Sequence, residues 1–290
     1  VRNSAALIIS NTSVIQQGHG LLIDPYSNVT GTPTDNTDSG DVFSLYANNC
    51  FFDHSSGNGL RIAPTGTGSV VRCRFANCWF GSSSGDGVYI NNAGAGTVQG
   101  IHFDSCHFAL SGGAGLTTGG VVSDIQVIGG WMCGNTHGAF FGGSTSKITM
   151  QGCTVGAGAG LPGNSQFGVV LESGCDNIVI TGNQMLGNSV GAINDNSGVS
   201  ANKRIAGNIG YSTSNSGTVP IAAGVTTAVV AHGLPVAPRP HEIILSHGSG
   251  NAGAVDLYVN NITATEFTVN VFPAPSAPIS VNWAARCSGA

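Results

Sequence analysis

Asn49-Cys50-Phe51-Phe52, Asn77-Cys78-Trp79-Phe80 and Ser105-Cys106-His107-Phe108 are three versions of one phrase, set 28 residues apart. A glycine-rich loop follows each, then Gly57-Asn58-Gly59-Leu60-Arg61-Ile62 and Gly85-Asp86-Gly87-Val88-Tyr89-Ile90 after the first two. The third copy, Gly113-Ala114-Gly115-Leu116-Thr117-Thr118, keeps both glycines and loses the last apolar residue. Self-similarity at a period of roughly 20–50 residues marks a stacked or radial repeat. Working outward, the Cys50 position recurs as Thr12, Cys78, Cys106, Gly130, Cys153, Asn183 and Asn208. The second glycine recurs as Gly20, Gly59, Gly87, Gly115, Gly138, Gly168 and Gly191. Steps range from 23 to 39 residues, and the excess falls in polar loops such as 27–40. Fixed strands joined by variable corners predict an all-β chain: a parallel β-helix of about eight coils with three short strands each.

Within a coil, the first strand alternates: Val71, Cys73 and Phe75 point one way, Arg72 and Arg74 the other. Period-2 alternation with one polar face is a half-buried strand. The residue before the Cys50 column is Asn49, Asn77, Ser105, Gly129, Gly152, Gly182 or Gly207. Glycine and asparagine accept positive φ cheaply, so a left-handed corner is expected on every rung. The second strand buries Phe52, Phe80, Phe108, Met132, Val155 and Met185, and turns Phe51, Trp79, His107 and Trp131 outward. Four successive outward rings fit either a sugar-stacking stripe or a surface covered by another subunit or a long loop. The third strand turns outward Arg61, Tyr89, Thr117, Phe140, Val170 and Ile193, and becomes apolar toward its end. Tyr89, Phe140, Val170 and Ile193 are therefore candidates for a subunit interface about a threefold axis.

Composition narrows the function classes. Glycine supplies 45 of 290 residues and charged residues only 8%, against a usual ~25% charged. A net charge of −5 with nine Lys+Arg lacks the basic footprint that nucleic acid requires. No apolar run approaches the ~18 residues of a spanning helix, so no membrane span is expected. The chain opens at Val1 with no leader, which suggests a fragment or processed product with an anchoring part elsewhere. The eight cysteines read as a reduced, buried stack, four of them in one column, behaving as small apolar side chains. The polar loop 24–40 is either a solvated corner or a functional loop.

The repeats fade after Asn208, giving a β-helix over 1–211, a Ser/Gly/Asn linker over 212–218 and a second module over 219–290. Five strands are read there, around Ala228–Val230, Glu242–Leu245, Ala254–Val259, Phe267–Val271 and Ile279–Trp283. Short strands between Pro/Gly turns predict a small antiparallel β-sandwich, which would also cap the open helix end.

These columns resemble those of bacteriophage tailspikes and receptor-binding tail proteins, over residues 1 to about 210. Val230-Ala231-His232-Gly233-Leu234-Pro235, Phe267-Thr268-Val269 and Val281-Asn282-Trp283-Ala284-Ala285 are similar to terminal domains of phage tail proteins. The resemblance implies a pectate-lyase-like right-handed β-helix and a homotrimer on the virion tail, extracellular in action and assembled in the host cytoplasm. It also implies binding of bacterial surface polysaccharide, often with its hydrolysis or elimination, and contact with other tail proteins through the missing N-terminal part.

A glycosidase needs two carboxylates about 5–9.5 Å apart. Asp53 and Asp86, on neighbouring rungs, and Asp104, before His107, are the candidates. Each equally fits a turn-capping aspartate. His54, His107 and His137 are spaced too irregularly to suggest a metal, and no cofactor is expected. Three readings stand: a glycan-binding trimeric spike, a depolymerase, and a structural stalk or cap.

Overall fold

The structure, a computed structural model, describes residues 6–16, 18–24, 41–64, 66–198, 202–248 and 255–287. The chain divides into two compact units, 1–210 and 211–290.

The first unit is a parallel β-helix. Its first sheet places eight strands in series, from Leu7–Ser10 through Leu45–Asn48, Val70–Ala76 and Val98–Asp104 to Lys203–Ala206. The second sheet runs Ser13–Ile15, Phe51–Asp53, Trp79–Gly81, His107–Ala109, Trp131–Cys133 and Thr154–Val155. The third runs from Leu21–Ile23 and Leu60–Ile62 to Phe167–Leu171 and Gly191–Asp195. Every strand in these sheets pairs in parallel with its neighbour one coil away; Tyr46, Arg74, His102 and Gln126, for example, follow one another in register. Eight coils are counted on the first sheet, but among the described residues only six carry all three strands. Coil seven reduces its second strand to a bridge at Gln184, and coil eight keeps one first-sheet strand and a bridge at Ile209.

The expected left-handed corner recurs throughout. Asn49, Asn77 and Ser105 have φ of 53°, 52° and 51°, Gly129, Gly152, Gly182 and Gly207 lie between 66° and 68°, and Asn11 joins them at 50°. Where the next residue is Cys or Asn, its side chain points into the coil and donates backward to a first-sheet carbonyl. Cys78 Sγ lies 3.6 Å from Ala47 O and Cys106 Sγ 3.4 Å from Phe75 O. Asn183 Nδ2 donates to Met150 O at 3.1 Å and Asn208 Nδ2 to Ile180 O at 2.9 Å. Thiol and amide thus serve one purpose in one column. All eight cysteines are unpaired and buried, and burial pushes the Cys73 and Cys153 thiols up to about 11 and about 12.

The core is a column of rings. Phe52, Phe80 and Phe108 stack at 5.4 and 5.6 Å, and Phe103 meets Phe80 edge-on at 5.9 Å. Each is at most 1% exposed, and burying such a side chain stabilises by about 1.5–3 kcal/mol.

Two expectations are corrected. Ile193 pairs with Val169 in the inward column and is 9% exposed, whereas Asn194 takes the outward place beside Val170. The cause is at the corner: Gly191 pairs with Phe167 rather than Gly168, so Ala192 fills the glycine position. A slip of one residue reverses every side chain. The expected linker is the strand Ser214–Ile221, bonded antiparallel to Ile279–Arg286 along all eight residues. Its Ser, Asn, Gly and Thr side chains lack the apolar alternation that reveals a strand. Residues 25–40 lie outside the described residues.

Among the described residues the second unit is a sandwich of six strands rather than five. Ser214–Ile221, Ile279–Arg286 and Ile243–His247 form one antiparallel sheet; Thr227–Ala231, Glu266–Phe272 and Asp256–Asn260 form the other. Phe267, Val269, Val281 and Trp283 fill the space between, with Phe267 and Trp283 edge-on at 5.6 Å. His232 is fully buried: its Nδ1 accepts the Leu234 N–H, so Nε2 carries the proton toward Thr263 O at 3.2 Å.

Candidate functional site

Three-residue strands put their first and third residues on one face. The outer face of the second sheet therefore carries two columns. Phe51, Trp79, His107 and Trp131 form one, in register across four coils. Asp53, Gly81, Ala109 and Cys133 form the other. Phe51 is 48% and Trp131 36% exposed, while Trp79 and His107 are half-buried. The rings lean on one another: Trp79 to His107 is 5.9 Å between centroids and His107 to Trp131 is 4.3 Å.

The small column explains how these rings lie. A Cβ on Gly81 would meet Trp79 Nε1 at 2.5 Å, so the indole folds along its strand and rests over the glycine. Its Nε1–H donates to Asp53 Oδ1 at 3.0 Å, and Asp53 Oδ2 lies 2.8 Å from His54 Nδ1. Burial works to raise the Asp53 carboxyl, but hydrogen bonds from Trp79, His54 and Ser82 outweigh it and hold the group below its ordinary value. Burial lowers His107, which keeps that ring neutral at neutral pH. The same device recurs on the third sheet, where a Cβ on Gly142 would meet the Phe140 ring at 3.1 Å.

The three aspartates sit in three settings. Asp53 belongs to the aromatic face. Asp86 belongs to the corner between second and third sheets: its N–H donates to Asn58 Oδ1 at 2.9 Å, and its Oδ1 accepts the Ala114 N–H at 2.7 Å. Asn58 and Asp86 thus do the same work on successive coils. Burial raises the Asp86 carboxyl above its ordinary value, against the bonds from Ala114 and Thr117. Asp104 ends a first-sheet strand and takes Arg74 Nε at 2.6 Å.

On the third sheet, Tyr89 is half-buried beneath the Arg61 guanidinium, 4.9 Å from its centroid, and Phe140 is half-buried near His137. Val170 is 2% exposed within the single chain, so it needs no partner to cover it. With Ile193 inward, the apolar outer face narrows to Tyr89 and Phe140. His137 stacks on Phe167, with centroids 6.2 Å apart. Among the described residues no three His, Cys, Asp or Glu side chains are grouped to hold a metal, and no helix is long and apolar enough to cross a membrane.

Sequence reasoning missed the ring-over-glycine contact, whose signal was present in Trp79-Phe80-Gly81 and Phe140-Phe141-Gly142. It also missed a second inner ladder. Asn135, Asn164 and Asn188 donate through Nδ2 to Phe108 O, Met132 O and Val155 O at 2.9, 3.0 and 2.9 Å. Ser55, Ser83 and Ser111 precede them at the coil spacing.

A family model described as "right handed beta helix region" matches residues 1–209. No curated protein matches the chain. Similar solved structures include the Gp54 tailspike of Acinetobacter baumannii bacteriophage AP22, in complex with A. baumannii capsular saccharide. It is 10% identical over 98% of this chain and 62% of that one, with a TM-score of 0.41. The tailspike gp49 of A. baumannii bacteriophage Fri1, a capsular polysaccharide depolymerase, is 13% identical over 92% and 59%, with a TM-score of 0.33. The Dettilon tailspike gp208 is 10% identical over 98% and 86%, with a TM-score of 0.31. The chain spans about three-fifths of the length of the first two. At such identities and scores these likenesses carry no argument about chemistry.

Proposed function

We propose, from the premise that the chain belongs to the family of right-handed β-helix regions, that it is part of a phage-type tailspike that recognises bacterial surface polysaccharide as a homotrimer. In this reading it acts on the virion tail, outside the cell, beside other tail proteins. The observation that carries it is the aromatic face of the second sheet. The π face is the negative part of a ring, and the C–H face of a pyranose is its positive, apolar side. Trp79 is already oriented by Asp53 and Gly81, so little side-chain freedom remains to be lost on binding.

The test is binding of purified protein to a panel of surface polysaccharides, with sedimentation measured in parallel. Truncating an aromatic anchor commonly costs more than about 1 kcal/mol. Trp79→Ala and Trp131→Ala are each expected to weaken binding roughly tenfold while sedimentation stays unchanged. Intact binding with altered sedimentation would instead support the structural stalk.

One observation favours a second reading, depolymerisation. Asp53 is held down and Asp86 is pushed up, and a glycosidase separates its base or nucleophile from its acid in this way. The measurement is release of reducing ends, or ultraviolet absorbance of unsaturated uronates, from the same panel. Activity lost in both Asp53→Asn and Asp86→Asn would establish it; silence across the panel with binding retained would leave recognition alone.

A further inference from the structure

We infer that the outer face of the second sheet selects neutral pyranose segments and discriminates against acidic ones; this rests on the glycan-binding reading above and names its ligand class. The observation is where charge lies. Neither the six second-sheet strands nor the corners on either side of them contain a single lysine or arginine. Their only ionisable acids are Asp53, beside Trp79, and Asp86, in the following corner. The neighbouring cations are engaged elsewhere: Arg74 holds Asp104 at 2.6 Å on the first sheet, and Arg61 covers Tyr89 on the third.

The histidines do not replace them. His107 sits within the stripe, 4.3 Å from the Trp131 ring, and is kept neutral by its burial. Burial likewise lowers His19 and His137, in the corners that follow the second sheet. His54 Nδ1 is engaged by Asp53 Oδ2 at 2.8 Å. A uronate carboxylate stacked here would meet the Asp53 charge and the negative ring faces with no counter-cation. Like charges a few ångströms apart at a protein surface repel appreciably, and salt screens the repulsion over roughly 8–10 Å. A neutral sugar meets none of this.

The spacing sets the size of the ligand. Neighbouring strands lie about 4.8 Å apart, so Trp79 and Trp131, two coils apart, are separated by roughly 9.6 Å. Between the two tryptophans His107 leans onto Trp131, so Trp79 and Trp131 stand as separate platforms, with Phe51 one coil before Trp79. One sugar on each, with one between, makes a trisaccharide the smallest segment that engages both.

The test uses the full chain and acidic surface polysaccharides, each supplied in native form and as its carboxyl-reduced, neutral counterpart with identical linkages. Binding of the reduced polymer is expected to be tighter, and unchanged between low and high salt. Asp53→Asn, whose amide oxygen still accepts the Trp79 Nε1–H, is expected to narrow the preference for the reduced over the native polymer by about threefold to tenfold, the ratio being read whatever happens to the affinity for both. The salt titration needs no variant and decides the matter if Asp53→Asn unfolds the coil. Preference for the native acidic polymer, weakened by salt and abolished in Trp79→Ala, would overturn the charge inference and keep the glycan reading. Failure of both forms to bind, or binding indifferent to Trp79→Ala and Trp131→Ala, would overturn both.

Discussion

Asp53 and Asp86 lie in adjacent coils, and their surroundings act on them in opposite directions. Asp53, depressed, binds fewer protons folded than unfolded. Its stabilisation is complete above the ordinary aspartate value and is lost as pH falls through the depressed one. Asp86, raised, is neutral in its effect in acid; its penalty on folding grows as pH rises from the ordinary aspartate value and is complete above the raised one. Asp86→Asn is therefore expected to raise Tm at neutral pH, since Asn58 already fills the equivalent role, and Asp53→Asn to lower it. Both differences should vanish in acid, where each wild-type group is protonated in both states; thermal melts across pH check the two signs. Gly81→Ala should weaken glycan binding by displacing the indole, and also destabilise, because the new methyl would lie 2.6 Å from Ala109 O. At this scale little of the site was legible. The outward place of Trp79 follows from alternation, but its direction depends on Asp53 one coil back and on a glycine two residues on. The turn-capping alternative for Asp86 was visible in Gly85-Asp86-Gly87, whereas the opposite shifts of two aspartates depend on packing that no spacing reveals.

The corners and ladders belong to the scale of the element. Asn77 holds φ of 52°, which glycine accepts freely and a β-branched residue does not. Asn77→Val is expected to cost about 1–3 kcal/mol, and Asn77→Gly much less, in denaturant unfolding. Asn183 is 1% exposed; its Oδ1 accepts the Cys153 N–H and its amide donates to Met150 O. Asn183→Ala leaves both groups without this partner in the core and should cost about 2–6 kcal/mol, at about 1–3 kcal/mol for each group. Asn183→Cys, which restores the residue found at 50, 78, 106 and 153, should cost less. These elements were the most legible part of the chain, because a left-handed corner admits few residue types and so leaves a column. The separate glycine column before the third strand is set by close approach of the next coil's carbonyl; where it admits an exception, at Ala192, the reading slipped by one and sent Ile193 to the wrong face.

At the scale of the whole molecule, the two units differ in how their sequences announce them. The β-helix repeats itself, so its columns could be read from spacing, although six rather than eight coils carry all three strands among the described residues. The sandwich begins with Ser214–Ile221, whose residues are those of a flexible tether, and only the eight paired positions opposite Ile279–Arg286 make it a strand. Its core is its own, and 211–290 expressed alone is expected to unfold cooperatively, with near-ultraviolet dichroism from Trp283. Trp283→Ala should remove that transition, since deleting a buried tryptophan costs about 3–5 kcal/mol. The ladders carry a consequence for how such a chain changes over generations. Because Cys50, Cys78 and Cys106 stand 28 residues apart and each thiol reaches back to a first-sheet carbonyl of the preceding coil, the seam before one matches the seam after it. Excising 79–106 would rejoin two compatible edges and shorten the rod by about one 4.8 Å step, and duplicating it would lengthen the rod equally. The molecule is thus spelled in interchangeable syllables, and its aromatic outer face can be lengthened or cut by tandem duplication and deletion while the remaining coils keep their geometry.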